Sequence, residues 1–92
     1  MMKFDTGQVV CTTNLQNKVG EDNMASVVSR VLARHVNGDW GDLSEEDKKA
    51  NDKALKDGER IMSAYNTENN IRIWVITEWD RSVTTVLLPE DY

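Results

Sequence analysis

The stretch that decides the fold is Ile71 to Leu88, IRIWVITEWDRSVTTVLL. Its first half is β-branched and aromatic, and its second half, from Val83, is again β-branched, as is typical of strands. Asp80-Arg81-Ser82 separates the halves with turn-forming residues, and Pro89 ends the second half because it has no backbone N–H to donate. The stretch therefore predicts a β-hairpin.

The side chains of the first half alternate between two faces of the predicted strand. One face carries Ile71, Ile73, Val75, Thr77 and Trp79, and the other carries Arg72, Trp74, Ile76 and Glu78. We expect the first, more apolar face to pack on a helix. The second face could be covered by the N-terminal segment, by a second helix or by another subunit, so a homodimer remains open.

Two helices are predicted before the hairpin. The first begins after the turn and cap residues Gly20 to Asn23 and ends at Asn37-Gly38. Its apolar residues recur at the spacing of one buried helical face: Met24, Val27, Val28, Val31, Leu32 and His35. The second helix, Glu45 to about Lys56, is predicted to begin after Ser44, which together with Asp47 three residues later resembles a capping box. Its apolar stripe is limited to Ala50, Ala54 and Leu55, so we expect it on the surface.

Two further strands complete the predicted fold. Gln8 to Thr13 follows Gly7 and reads as a short edge strand. Arg60 to Tyr65 alternates loosely and leads through the turn Asn66 to Asn70 into the hairpin. The chain is thus predicted to be α+β, with an antiparallel sheet of three to four strands packed against two helices. The sheet comprises a C-terminal meander and an N-terminal edge strand, in a single compact domain over residues 1–92.

The charge balance argues against nucleic acid as a partner. Sixteen acidic and eleven basic residues give the 92-residue chain a formal charge of −5. This sign opposes binding to phosphates, and Arg30, Arg34, Arg72 and Arg81 are too few unless they align on one face. Acidity either keeps a small protein soluble or suits a basic partner surface.

The cysteine and hydropathy patterns indicate a cytoplasmic protein. Cys11 is the single cysteine, which excludes a disulfide within the chain. No charged-then-apolar leader is visible, and no apolar run approaches the roughly 20 residues that span a bilayer. We therefore expect no membrane association.

No cofactor or metal is predicted. The one histidine and one cysteine are far apart, and the five glycines are scattered instead of forming a phosphate loop. The segment Asn37 to Lys48 fails as a calcium loop because Gly41, Asp42 and Lys48 occupy the wrong positions. His35 is expected to half-bury its ring against a carbonyl, with acid–base chemistry as the alternative, and Cys11 is expected to be buried.

Two loops carry the candidate binding residues. The first holds Trp40 between Asp39 and Asp42, and its indole is either tucked into the core or a contact for a partner. The second is the hairpin tip with Trp79, Asp80 and Arg81. Here the alternative to binding is an Asp-Arg turn with a surface ion pair worth under about 1 kcal/mol.

Three runs carry a resemblance to a known family. They are Ala33 to Leu43 (ARHVNGDWGDL), Glu46-Asp47-Lys48 with Asn51, and Ile73 to Glu90 (IWVITEWDRSVTTVLLPE). Together they resemble a family of small uncharacterised bacterial proteins from plasmids, phages and integrated elements. The resemblance covers about the last two-thirds of the chain, and it implies a mobile-element context without implying an activity.

The leading functional hypothesis is a small acidic accessory or regulatory protein of a mobile element that acts by binding another protein. A host defence component is one candidate partner. The alternative is a small enzyme or ligand-binding domain with a shared cleft. That cleft would be formed by His35, Asp39, Asp42, Glu78, Asp80 and Arg81.

Overall fold

A four-stranded mixed sheet forms one layer of the protein, described by a computed structural model over residues 2–67 and 69–92. The strands are β1 (Gln8–Cys11), β2 (Ile61–Asn66), β3 (Arg72–Thr77) and β4 (Val83–Leu87). Their order across the sheet is β1-β4-β3-β2. The helices are α1 (Thr13–Val19), α2 (Glu21–Val36) and α3 (Glu45–Asp57), and a 3-10 helix spans Pro89–Asp91. The α+β prediction is confirmed.

The predicted meander is present, but the N-terminal strand joins it in parallel. Strands β2, β3 and β4 pair antiparallel in sequence. Strand β1 lies at the edge, as predicted, and runs parallel to β4 with Val9 opposite Thr84. Gly7 allows this approach because its φ is +61° and a Cβ there would overlap the main chain of Ser82. The expectation of a purely antiparallel sheet was therefore wrong.

The helices cover the face of the sheet that carries the more apolar set of alternating side chains of β3. Ile73, Val75 and Thr77 are fully buried. Ile73 and Val75 belong to a hydrophobic core that also contains Leu15 and Val19 from α1 and Val31 from α2, and Thr77 lines this core. The predicted packing of this face on the Met24 to His35 helix is confirmed. Trp79 is not part of it, because β3 ends at Thr77 and the chain has already turned.

Helix α1 was not expected, and α3 buries a different stripe from the predicted one. In α1 the hydroxyl of Thr12 accepts from the N–H of Leu15, a cap for a seven-residue helix whose buried side chains are Leu15 and Val19. In α3 the buried residues are Asn51 and Ala54, whereas Ala50 is exposed. The helix uses a polar side chain on its inner face because that side chain meets the edge of a strand.

The outer edge of β2 is closed by hydrogen bonds from two other segments. Asn51 donates from its amide to the Met62 carbonyl oxygen at 2.7 Å and accepts from the Met62 N–H at 3.3 Å. The Asp42 N–H donates to the Ala64 carbonyl at 2.6 Å, and the Ala64 N–H donates to the Trp40 carbonyl at 3.2 Å. The backbone groups of this edge are thereby satisfied and cannot pair with another chain.

The second face of the sheet carries a stack of aromatic and arginine side chains. The ring of Trp74 meets that of Tyr92 edge-on at 5.7 Å between centroids. Arg60 lies 5.0 Å from the centre of the Tyr92 ring and donates to its hydroxyl at 2.6 Å. The C-terminal residue Tyr92 packs on Trp74, a covering that the sequence analysis did not consider, and covering of this face by another subunit stays a prediction. Within the described chain, no helix is long and apolar enough to cross a membrane.

Candidate functional site

The hairpin tip between β3 and β4 is held rigid by Arg81. Its φ is +59°, and its Nη1 donates to the carbonyl oxygens of Glu59 at 2.6 Å and Glu78 at 3.1 Å. Its Nη2 donates to the Ala54 carbonyl at 3.3 Å, near the C-terminal end of α3. A guanidinium there is favoured by the negative end of the helix dipole. The arginine therefore ties the tip to α3 and faces inward instead of towards solvent.

Asp80 fixes the turn from the other side. Its Oδ1 accepts from the Ser82 N–H at 3.1 Å and from the Ser82 hydroxyl at 2.7 Å. These two hydrogen bonds lower the pKa of the Asp80 carboxyl, because they stabilise its charged form. No Asp80–Arg81 ion pair forms. The surface pair considered from the sequence is thus replaced by two separate attachments of the turn.

Trp79 is presented to solvent on this rigid turn. Its side chain is 66% exposed, whereas Trp40 is 4% exposed and Trp74 is half-buried. Glu59 and Asp80 are also exposed near the tip, and Glu78 is half-exposed. With Arg81 turned inward, the outward charge at this end is negative. We refer to Glu59, Glu78, Trp79 and Asp80 as the tip surface.

Trp40 is an interior residue, so of the two alternatives for its indole the tucked one is confirmed. Its Nε1 donates to Asp52 Oδ1 of α3 at 3.0 Å. Its ring stacks on Phe4 at 6.2 Å and meets His35 edge-on at 6.0 Å. Gly41 next to it has φ of +76°, which the sharp return of the loop onto β2 requires.

Asp39 and Asp42 fasten the same loop and do not join the hairpin tip. Asp39 accepts from Arg34 Nε at 2.7 Å and from the Gly41 N–H at 3.1 Å. Asp42 accepts from Arg72 Nη1 at 3.0 Å and from Asn66 at 2.8 Å. These bonds lower the pKa of both carboxyls, with the arginine hydrogen bond as the largest cause in each case.

The candidate residues consequently fall into two separate places. Asp42 contacts the first residue of β3, Arg72, whereas the tip follows the last residue of β3, Thr77. A six-residue strand is about 17 Å long, so Asp42 at one end of β3 and the hairpin tip at the other end are too far apart to form one small site. Among residues 2–67 and 69–92, no three His, Cys, Asp or Glu residues group so as to hold a metal ion.

His35 is fully buried and faces hydroxyl groups, not a cleft. Its Nδ1 lies 2.6 Å from Ser63 Oγ and its Nε2 lies 2.9 Å from Thr77 Oγ1. Thr77 Oγ1 in turn lies 2.7 Å from Thr84 Oγ1, which donates to the Thr6 carbonyl at 2.7 Å. The expectation of a half-buried ring bonded to a carbonyl was wrong, because the sheet supplies three hydroxyls instead.

The positions of the hydrogens in this series of hydrogen bonds follow from the last acceptor, the carbonyl oxygen of Thr6. A carbonyl only accepts, so Thr84 donates to Thr6, Thr77 donates to Thr84, and the Nε2–H of His35 donates to Thr77. Nδ1 is then free of hydrogen and accepts from Ser63. Burial, reinforced by the positive charge of Arg81, lowers the pKa of His35 from 6.5 to about 4. The His35 ring is therefore neutral, and both of its nitrogen atoms have hydrogen-bond partners.

The shared cleft of the alternative hypothesis does not form. A groove of about 310 Å³ lies between α2 and the β2–β3 connection, lined among others by Val27, Arg34, Tyr65 and Ile71. None of the six predicted cleft residues lines it. Arg34 and Arg72 are engaged by carboxylates and Arg81 by carbonyls, so these three do not form a basic stripe.

Sequence reasoning missed Asn51 and the inward role of Arg81. Asn51 entered the sequence analysis only through the family resemblance, and the signal that could have singled out its structural role was its position three residues before Ala54 on the inner stripe. No family model matches the chain, and comparisons with curated proteins and with solved structures find no significant match.

Proposed function

We propose that this protein is a small accessory module that acts by binding another protein through the tip surface. The observation that carries the proposal is the 66% exposed indole of Trp79 on a turn fixed by Arg81 and Asp80. Tryptophan is among the residues that contribute most to protein interfaces, because it buries a large area at little entropic cost. A rigid turn lowers that cost further, since little order is lost on binding.

The charge of the tip surface defines the chemistry of the partner. Glu78 and Asp80 flank Trp79 in the sequence, and Arg81 next to them donates to the main-chain oxygens of Glu59 and Glu78. The partner that fits is a protein with an apolar pocket for the indole and lysine or arginine at its rim. The resemblance to mobile-element proteins motivates the further proposal that this partner is a host protein, with a defence component as the first class to test.

A comparative capture experiment tests the proposal. Tagged wild-type protein and the Trp79→Ala variant are incubated with lysate of the native host, and recovered proteins are quantified by mass spectrometry. Tyr92→Ala is the matched control, because Tyr92 is also an exposed aromatic, at 70%, but lies at a different place. We expect a partner that is retained by the wild type and Tyr92→Ala and is lost from Trp79→Ala.

A second pair of changes tests the charge component on the partner so recovered. The double substitution Glu59→Lys and Glu78→Lys reverses the sign of the tip surface without touching the atoms that hold Arg81, which are main-chain oxygens. We expect the affinity to fall at least tenfold and the salt dependence of the remaining binding to change sign, because like charges then face each other and salt screens their repulsion. Recovery of the partner at the wild-type level by folded Trp79→Ala and by the charge-reversed variant would refute the proposal.

A further inference from the structure

The two edge strands of the sheet differ in whether other segments of the protein form hydrogen bonds to their outer backbone groups. The β2 edge is closed by Asn51 and by the Trp40 to Asp42 segment. Strand β1 is last in the order at the other end, and no described residue beyond it supplies a neighbouring strand. An open strand edge is a ready template for another strand, and proteins usually protect it.

The backbone groups that β1 leaves open can be identified from its pairing. The N–H of Gln8 donates to Ser82 and that of Thr12 donates to Val86, both on the β4 side. Because the direction of the backbone groups alternates along a strand, those of Val9 and Cys11 point away from the sheet. The open edge therefore offers two N–H donors and two carbonyl acceptors.

Apart from its short length, strand β1 has none of the usual devices that discourage edge pairing. Thr6 to Asn17 has no charged residue and no proline, and it is the longest uncharged run in a chain with 29% charged residues. Val9 and Val10 are 37% and 38% exposed. Cys11 is also exposed, which corrects the expectation that it is buried. Lysine, proline or an inward charge would normally stand in such a strand.

We propose that the occupant of this edge is a second copy of the same chain, whose β1 pairs antiparallel with the first across a two-fold axis at Val10. In this register Val9 opposes Cys11 of the other copy, and each pair exchanges both backbone hydrogen bonds. The arrangement is self-complementary, as a two-fold interface must be. It joins two four-stranded sheets into one of eight strands.

The charge distribution favours a second copy over a foreign strand. With the axis at Val10, each residue from Gln8 to Thr12 opposes another uncharged residue of that same run, so the paired strands of the acidic chain meet without a like-charge pair. A basic foreign strand would find no carboxylate within β1 to pair with, because Gln8 to Cys11 carries no charged residue. The inference is independent of the proposed function, which uses the tip surface.

The strength of the association is limited by the length of the strand. A strand of four residues extends about 13 Å, which is short for the roughly 800 Å² per partner of a stable interface. We therefore expect a dimer in rapid exchange with the monomer. Its population should rise between about 10 µM and about 1 mM.

Sedimentation of the full chain across that concentration range tests the proposal. The average mass should rise from 10.5 kDa towards twice that value. Val10→Lys places two like charges at the axis and should weaken dimerisation at least tenfold, while Ser29→Lys adds the same charge to an exposed position of α2 and should leave it unchanged. A wild type that stays monomeric, or equal dimerisation by both variants, would overturn the proposal.

Cross-linking tests the register and does not rely on a destabilising charge. Opposed residues at the axis have Cα atoms about 4.5 Å apart, within the range that a disulfide spans. Val10→Cys in a Cys11→Ser background should form a covalent dimer with oxidised glutathione, which is reduced as the disulfide forms. Ser29→Cys in the same background should not. Equal cross-linking of the two would count against the β1 interface.

Discussion

The side-chain amide of Asn51 on α3 pairs with the backbone of Met62 on β2 as a neighbouring strand would, donating at 2.7 Å and accepting at 3.3 Å. One side chain thus replaces two ladder hydrogen bonds at the edge of the sheet. It also sets the position of α3, which otherwise contributes little apolar surface beyond Ala54 and Leu55.

Removing this amide should destabilise the protein. Asn51→Ala leaves the N–H and carbonyl of Met62 without partners at a position that α3 shields from water, at a cost of about 1 to 3 kcal/mol. Urea unfolding followed by circular dichroism measures the change. Lys49→Ala, on the exposed side of the same helix, is the control and should alter the free energy of unfolding by under about 0.5 kcal/mol. Equal midpoints for the two variants would contradict the role assigned to Asn51.

The glycines at positions 41 and 58 should respond differently to alanine although both have positive φ. A Cβ at Gly41 would overlap the Ala64 carbonyl oxygen and approach the Tyr65 ring at 2.6 Å, whereas one at Gly58 has no atom within 4 Å. We expect Gly58→Ala to cost about 1 to 2 kcal/mol from backbone strain alone. Gly41→Ala should cost more than about 3 kcal/mol, since the main chain must move. Thermal unfolding of both variants makes the comparison, and similar losses would argue against the close approach at Gly41.

Burial of neutral His35 makes stability depend on pH. The pKa is about 4 in the folded protein and 6.5 ordinarily, so between these values the unfolded chain binds a proton that the folded one does not. The free energy of unfolding should therefore fall as the pH falls from about 6.5 to about 4, by up to roughly 3 kcal/mol. Below that range the His35 contribution is fully lost.

Two measurements check this effect. The imidazole resonances of His35 should show no titration between pH 7 and pH 5, because the ring remains neutral there. The His35→Gln variant should lose the slope of stability over the same range while keeping the acid sensitivity of the carboxylates, whose pKa values are also lowered. A midpoint near 6.5 in the folded protein would disprove the buried neutral ring.

Arg81 should stabilise the hairpin tip through hydrogen bonds at some cost in backbone strain. Arg81→Ala removes three donations to carbonyl oxygens and keeps the positive φ, so we expect a loss of about 2 kcal/mol. Arg81→Gly removes the same bonds but relieves the strain, and it should be the more stable of the two by about 1 kcal/mol. Hydrogen exchange at the Ser82 amide should accelerate in both. Unchanged exchange would show that the tip is rigid without the arginine.

The faces of the sheet were predictable from sequence because alternation is a local property. Ile73, Val75 and Thr77 lie two residues apart, and a strand must put them on one side. The long helix α2 was predictable for the same reason, with a period of 3.6 residues. The parallel pairing of β1 was not, since it depends on where β4 lies after more than seventy intervening residues.

The candidate site was predictable only in part. Asp80 and Arg81 were located correctly in the turn, whereas Trp79 was also expected on the core face of β3, and neither its exposure nor the inward direction of the Arg81 guanidinium was predicted. Trp40 has the same loop chemistry and is buried, because Phe4, His35 and Asp52 happen to surround it. The local sequence predicts which residues lie in a loop, but the direction of their side chains depends on residues that are distant in the sequence.

The pairing of Val9 with Thr84 also governs how the protein is made. Of the four strands β1 is translated first, but within the described chain it pairs with β4, so β1 must wait until this last strand has been translated. Until then its uncharged residues are exposed beside those of other nascent chains, where unpaired strands aggregate. The meander can form from neighbouring residues in the meantime, because its contacts are short in sequence. Closure of the sheet by β1 is therefore a late event in biosynthesis.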